Sequence, residues 1–267
     1  MSLVSRDLAA VLPRIREQRP LIHHITNMVV MNDTANITLA IGALPVMAPA
    51  PEEVEEMVSI ARALVLNIGT LTPTQVEAML LAGRRANERN IPIVLDPVGA
   101  GATRLRTESA MRLLSELRIS ALRGNAAEIA ALVGVAGETR GVESIAVSSA
   151  VETIAQQAAQ TFGCVTAITG EHDVITDGTQ IAVVHNGHAR LGSITGSGCM
   201  ATSLIGAFLA VEERPLVATT AALVAMGIAG EHAALLSAGP GTFRSHLLDT
   251  VAALDESVLL QQQKVDL

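Results

Sequence analysis

The chain has 267 residues, 49% of them apolar, and carries 18 Lys plus Arg against 26 Asp plus Glu, a formal charge of −8. That length and apolar share suffice for one large core and a single domain over residues 1–267, while the acidic balance excludes a nucleic-acid partner and leaves any anionic ligand to be held by local devices. With no Trp or Tyr and three Phe there is no aromatic platform for a heterocycle, and two cysteines without a basic-then-apolar leader fit free thiols in a reducing cytoplasm.

Short β-branched runs alternate with helically periodic segments, the pattern of βα units around a mainly parallel sheet. Strands are expected at Leu21 to Thr26, Leu44 to Ala48, Leu64 to Ile68, Ile91 to Leu95, Ile119 to Leu122 and Val165 to Thr169. Helices are expected between them, at Asp33 to Ile41, Glu52 to Arg62, Thr74 to Asn90, Leu105 to Leu117, Ala126 to Val133 and Val151 to Phe162. Pro51-Glu52-Glu53 and Thr72-Pro73-Thr74 place proline and acids in first helical turns. Asp173 to Thr176 and Gln180 to His185 flank Asp177-Gly178 and read as an antiparallel hairpin added to the sheet. The remainder reads as almost wholly helical.

Two uncharged stretches, Ile194 to Val211 and Pro215 to Gly230, raise the question of a membrane. The helical part of the first begins only after its glycines, short of the roughly twenty residues a bilayer requires, and both are rich in Ala, Gly, Ser and Thr. Both therefore read as buried core helices, and no membrane partner is expected. The expected fold is α/β with three layers and a doubly wound sheet, in which ligands sit outside the carboxyl ends of the strands.

Gly192-Ser193-Ile194-Thr195-Gly196-Ser197-Gly198-Cys199 runs straight into an apolar helix. Glycines allow close backbone approach, and the unpaired N–H groups of a first helical turn stabilise negative charge, so Gly196, Ser197 and Gly198 form a candidate anion hole. No Lys-Ser or Lys-Thr follows, which excludes a P-loop, and no second strand with an acidic end follows the helix, as a dinucleotide fold requires. Cys199 lies near this helix start, where a thiol pKa tends to fall and the thiolate becomes a proton acceptor. Cys164 reads as a small buried hydrophobe.

Arg123-Gly124-Asn125-Ala126-Ala127-Glu128 follows a strand and opens a helix. Asn125 and Glu128 face the same way on a first turn and suit Mg²⁺ or its water shell, with Arg123 as a fixed charge for phosphates. The same residues equally spell a helix capping box. Asp96 ends a buried strand, where metal-orienting acids belong, though Asp96-Pro97 also starts turns. Thr169 ends another strand with a hydroxyl. His23 and His24 face opposite sides of the first strand and read as packing or interface residues, while Asn27 and Met47 leave the first two strands at the same end of the sheet.

Together, Asp96-Pro97-Val98, Asn125-x-x-Glu128 and the glycine turn before Cys199 resemble the ribokinase-like superfamily and, more closely, hydroxyethylthiazole kinases. The resemblance spans nearly the whole chain, taking in His23-His24-Ile25-Thr26-Asn27, Asn32-Asp33-x-Ala35-Asn36, Asn67-Ile68-Gly69-Thr70 and Arg123-Gly124-Asn125 in the expected order. It implies a ribokinase-like fold without a separate lid domain, and ATP-dependent, Mg²⁺-dependent phosphorylation of 5-(2-hydroxyethyl)-4-methylthiazole in thiamine salvage. By motif matching it implies that Arg123 and Thr169 bind ATP, that Asn125 and Glu128 organise Mg²⁺ with Asp96 supporting the metal and phosphates, and that Asn27, Met47 and Gly196 contact the thiazole. Cys199 would stand at the point of transfer, where many superfamily members carry Asp. Similar family members are trimers with active sites between subunits, which implies a homotrimer here. A hydroxymethylpyrimidine kinase, an NAD(P)H-hydrate dehydratase or a non-catalytic ATP sensor are the alternative readings.

Overall fold

A computed structural model describes residues 5–135 and 144–267, apart from the side chains of 144–149. The chain starts with α1 (Ser5–Ala9) and α2 (Val11–Gln18), which the sequence pattern did not reveal; a left-handed Arg19 (φ 46°) ends α2 and turns the chain into the sheet. Alternation follows as β1 (Leu21–Ile25), α3 (Met31–Ile41), β2 (Leu44–Met47), α4 (Val54–Ile60), β3 (Ala63–Asn67), α5 (Pro73–Glu88), β4 (Ile93–Asp96), α6 (Arg104–Glu116), β5 (Ala121–Gly124), α7 (Ala126–Leu132), α8 (Ser144–Phe162) and β6 (Val165–Ile168). The hairpin is β7 (Asp173–Thr176) and β8 (Ile181–Val184), and α9 (Ser197–Leu209), α10 (Pro215–Leu236), α11 (Pro240–Ala253), α12 (Glu256–Gln262) and β9 (Val265–Asp266) complete the described elements.

The strands form a nine-stranded sheet in the order β2-β1-β3-β4-β5-β6-β7-β8-β9. The pairs from β2 to β6 are parallel, and those from β6 to β9 antiparallel. Strand residues alternate between two apolar layers. Val94 faces α1, α2, α3 and α9 to α12, while its neighbours Ile93 and Leu95 face α4 to α8. This is the expected three-layer α/β/α arrangement, and no separate lid is evident among the described residues.

Some boundaries differ for identifiable reasons. The Ile91 N–H bonds back to Ala86 O (2.9 Å), so this residue closes α5 and the strand starts later, at Ile93. Glu53 and Val54 both donate to Ala50 O, forming a turn that delays α4, and an extended Ala61 ends it. β9 pairs with β8 over only two residues, too short for any sequence signal. Of the two uncharged stretches, α10 is 22 residues long and is apolar enough to cross a membrane, but every residue from Leu216 to Gly230 is buried in the fold.

Candidate active site

From β1 the sheet grows one way to β2 and the other way through β3 to β6, so the crevice between the carboxyl ends of β1 and β3 is the topological switch point, where such sheets bind ligands. A side-chain bond spans it: Asn27 Nδ2, just beyond β1, donates to Asn67 Oδ1 at the end of β3 (2.8 Å). Asn67 is the hub of the site. Its Oδ1 also accepts from Gly69 N (2.9 Å), and its Nδ2 donates to Asp96 Oδ2 (2.9 Å) and to Cys199 Sγ (3.2 Å). Asn27 Nδ2 reaches the same sulfur at 3.5 Å. A Cβ on Gly69 would sit 2.7 Å from Asn27 Nδ2, so that position has no room for a larger residue.

Asp96 is fully buried at the end of β4. Its Oδ2 also accepts from Thr202 Oγ1 on α9 (2.8 Å) and lies 3.6 Å from Arg123 Nη1, whereas Oδ1 is buried with no partner. Burial pushes its carboxyl up to about 6; Arg123 opposes that shift and the Glu128 charge adds to it.

The glycine turn behaves as expected in its backbone. Gly196 takes φ +83°, a left-handed conformation that suits glycine, and a Cβ there would lie 2.4 Å from Val30 Cγ1. Met200 N donates to Gly196 O (2.8 Å), so the Ser197, Gly198 and Cys199 N–H groups precede the first intrahelical bond. A Cβ on Gly198 would stand 2.5 Å from Arg123 Nη1, so the helix start can lie directly on the guanidinium only because this residue is glycine. Arg123 Nη2 in turn donates to Thr169 Oγ1, which joins the ends of β5 and β6. Cys199 corrects one expectation: burial first, and the Asp96 charge second, push its thiol up to about 11 rather than down. The amide donors of Asn67 and Asn27 only partly offset this.

Asn125 and Glu128 form a complete capping box, with Asn125 Oδ1 accepting from Glu128 N (2.9 Å) and Glu128 Oε2 accepting from Asn125 N (2.8 Å). Glu128 Oε1 also accepts from Gly99 N (2.8 Å), tying α7 to the loop after β4. Both carboxylate oxygens thus hold backbone, yet each keeps acceptor capacity. Among the described residues there is no cluster of three or more His, Cys, Asp and Glu able to hold a metal alone. Met47 ends the outermost strand, half-buried, in register with His24 and one strand beyond Asn27. His23 and His24 are packing residues: His23 Nε2 meets Ala48 O (2.8 Å), and burial drives His24 down to about 3.

Three residues of the site had been given no role from sequence. Asn67 lies inside the expected strand Leu64 to Ile68, and only the structure, in which β3 ends at Asn67, puts its amide at the strand's carboxyl end. Thr202, on the buried face of α9, reads as filler until Asp96 is seen beside it. Arg106 donates to Val98 O (2.7 Å) and Gly69 O (2.7 Å), fastening the loops after β3 and β4; nothing in its helical context marks it.

Residues 12–257 match the family model described as the Hydroxyethylthiazole kinase family. The chain is 51% identical over 259 residues to a hydroxyethylthiazole kinase of Methanosphaerula palustris, covering 97% of this chain and 98% of that one. It is 55% identical over 258 residues to one of Desulforudis audaxviator, covering 97% and 94%. Among solved structures it is similar to a hydroxyethylthiazole kinase protein from Pyrococcus horikoshii OT3, with TM-score 0.91, 45% identity and coverage of 97% and 98%. A ribokinase-like superfamily protein from Enterococcus faecalis V583, at 12% identity and TM-score 0.66, shares the fold.

Proposed function

The chain belongs to the hydroxyethylthiazole kinase family, and on that premise we propose how its site transfers a phosphoryl group from ATP to the primary hydroxyl of 5-(2-hydroxyethyl)-4-methylthiazole, a step of thiamine salvage. We read residues 1–267 as one kinase domain, with the described elements arranged around the single sheet. The observation that carries the proposal is the Asn67 hub, which ties Cys199 Sγ and the Asp96 carboxylate together at the switch point.

Gly196, Ser197 and Gly198 face the transferring phosphoryl group with backbone donors, and Arg123 with Thr169 takes the ATP phosphates. Asn27, Gly196 and Met47 contact the thiazole. Phosphoryl transfer asks for alignment and for stabilisation of charge on the equatorial oxygens, which fixed N–H groups and a guanidinium supply without reorganising. The hard oxygen donors Asp96, Asn125 and Glu128 suit Mg²⁺ and its waters, and the unpartnered Asp96 Oδ1 is the atom a hydrated cation would satisfy. When bound, Mg²⁺ neutralises phosphate charge. Cys199 accepts the alcohol proton late in transfer; the Nδ2 donors of Asn27 and Asn67 aimed at Sγ stabilise the anion that forms.

A homotrimer with sites between subunits fits the apolar surface at this end of the sheet: β2 is only half-buried, and Met28 and Val29, in the turn after β1, are 71% and 66% exposed. The enzyme acts in the cytoplasm. A coupled assay of ADP release tests the reading. ADP should form with the thiazole alcohol and not without it. ATP binding without turnover, or preference for a hydroxymethylpyrimidine, would reject it.

A further inference from the structure

A cleft of about 870 Å³ opens at the opposite end of the sheet, where the chain enters β3, β4 and β5, and shares no residue with the Asn67 network. Three arginines line it. Arg62 immediately precedes β3, Arg89 follows α5, and Arg118 lies just ahead of β5. Each sits near a helix carboxyl end, whose dipole attracts a cation. That attraction accounts for Arg118, which donates to Asn87 O (3.2 Å) and Asn90 Oδ1 (2.9 Å). The other two differ: the guanidinium groups of Arg62 and Arg89, on exposed residues, meet no carbonyl or carboxylate among the described residues. Arg14, Arg84, Arg112 and Arg214, by contrast, each meet a carboxylate.

The acids of the cleft do not cancel this charge. Glu212 is already held by Arg14 and Arg214, which leaves Glu213 as the lining acid with no ion pair among the described residues. In a chain of net charge −8, two unengaged guanidinium groups on one cleft, each with five N–H donors in a planar fork, offer an anion more donors than the protein uses itself, with Arg89 also bordering Glu55 and Glu56 in the adjoining hollow. Phosphate oxygens match that fork in pairs, better than a single carboxylate spread over separate arginines. Buried Leu209 and Ala210 contribute an apolar wall.

We propose that this cleft is a second anion site that binds a small polyphosphate or phosphate ester between Arg62 and Arg89, with Arg118 at its border, away from the catalytic end. The proposal is independent of the kinase reading. Calorimetric titration at low ionic strength tests it, with inorganic pyrophosphate and glycerol 3-phosphate as probes, on the parent, Arg62→Ser/Arg89→Ser and Arg62→Lys/Arg89→Lys. Both probes can also meet the catalytic end, so the difference between proteins is what reports the cleft. The parent should show a saturable event that the serine variant loses or weakens at least tenfold and the lysine variant partly keeps, with ADP-forming activity unchanged in both. Tighter pyrophosphate binding assigns a polyphosphate, and tighter glycerol 3-phosphate binding a monoester. Identical isotherms for parent and serine variant, or no binding of either probe, would overturn the proposal.

Discussion

Replacing Cys199 tests how the alcohol proton leaves. With its thiol at about 11, roughly one sulfur in three thousand is ionised at pH 7.5. If the thiolate is the acceptor, kcat/KM should rise about tenfold per pH unit from near neutrality toward pH 10. Cys199→Asp keeps an acceptor at the same point: Asn27 and Asn67 donate toward it and favour its charge, while Asp96 opposes it, so the two carboxyls titrate as a pair. This variant should be active at neutral pH and lose the steep alkaline rise. Serine has no accessible anion, and Cys199→Ser should lose about a hundredfold in kcat, or about 2.7 kcal/mol of barrier, while still binding thiazole. Steady-state ADP release for the three enzymes across the pH range gives the answer. Equal turnover with superimposable pH profiles would refute the reasoning and leave the proton to phosphate or water.

Asp96→Asn separates stability from catalysis. The native carboxyl titrates at about 6, above its ordinary 3.8, so the folded state binds the proton more tightly and burying the ionised form costs about 3 kcal/mol above pH 6, relieved on acidification through that window. The metal-free variant should therefore match or exceed the parent's Tm at pH 7.5 by a few degrees, with the gap closing toward pH 4, while kcat drops sharply; a lower Tm at pH 7.5 would contradict this. Glu128→Gln leaves one of two backbone N–H groups without a good acceptor and should lose about 1–2 kcal/mol of stability together with turnover. Full turnover at saturating Mg²⁺ would reduce Glu128 to a helix cap. Gly198→Ala pushes a methyl against Arg123 and should raise the KM for ATP about tenfold, with little change in Tm because alanine favours the helix by up to about 1 kcal/mol. An unchanged KM for ATP would detach Arg123 from nucleotide binding.

β3 and β4 are legible because each is an apolar run buried on both faces, Asp96 and Arg123 because they end or interrupt such runs, and Cys199 because a glycine turn precedes it at the start of an apolar helix. What stayed hidden depends on atoms distant in sequence. Asn67 gains its role only when β1, β3 and α9 converge, and the direction of the Cys199 shift follows first from the burial that this convergence imposes, with the Asp96 charge adding to it. Asn125 and Glu128 were read two ways from sequence. The fold realises the cap in full, and a second duty toward a cation rests on the lone pairs the cap leaves over.

α10 has a consequence for how this protein can be made. Membrane-insertion machinery reads hydropathy along the emerging chain, not burial in the finished fold. A 22-residue helix with mean hydropathy 1.4, shielded only after α9, α11 and the sheet have closed around it, offers that machinery an apolar segment of spanning length until the core closes. Fused behind an export leader, the chain should stall or insert at Pro215–Leu236, so surface display and periplasmic expression are poor routes to it, while synthesis that lets the core close first avoids the hazard.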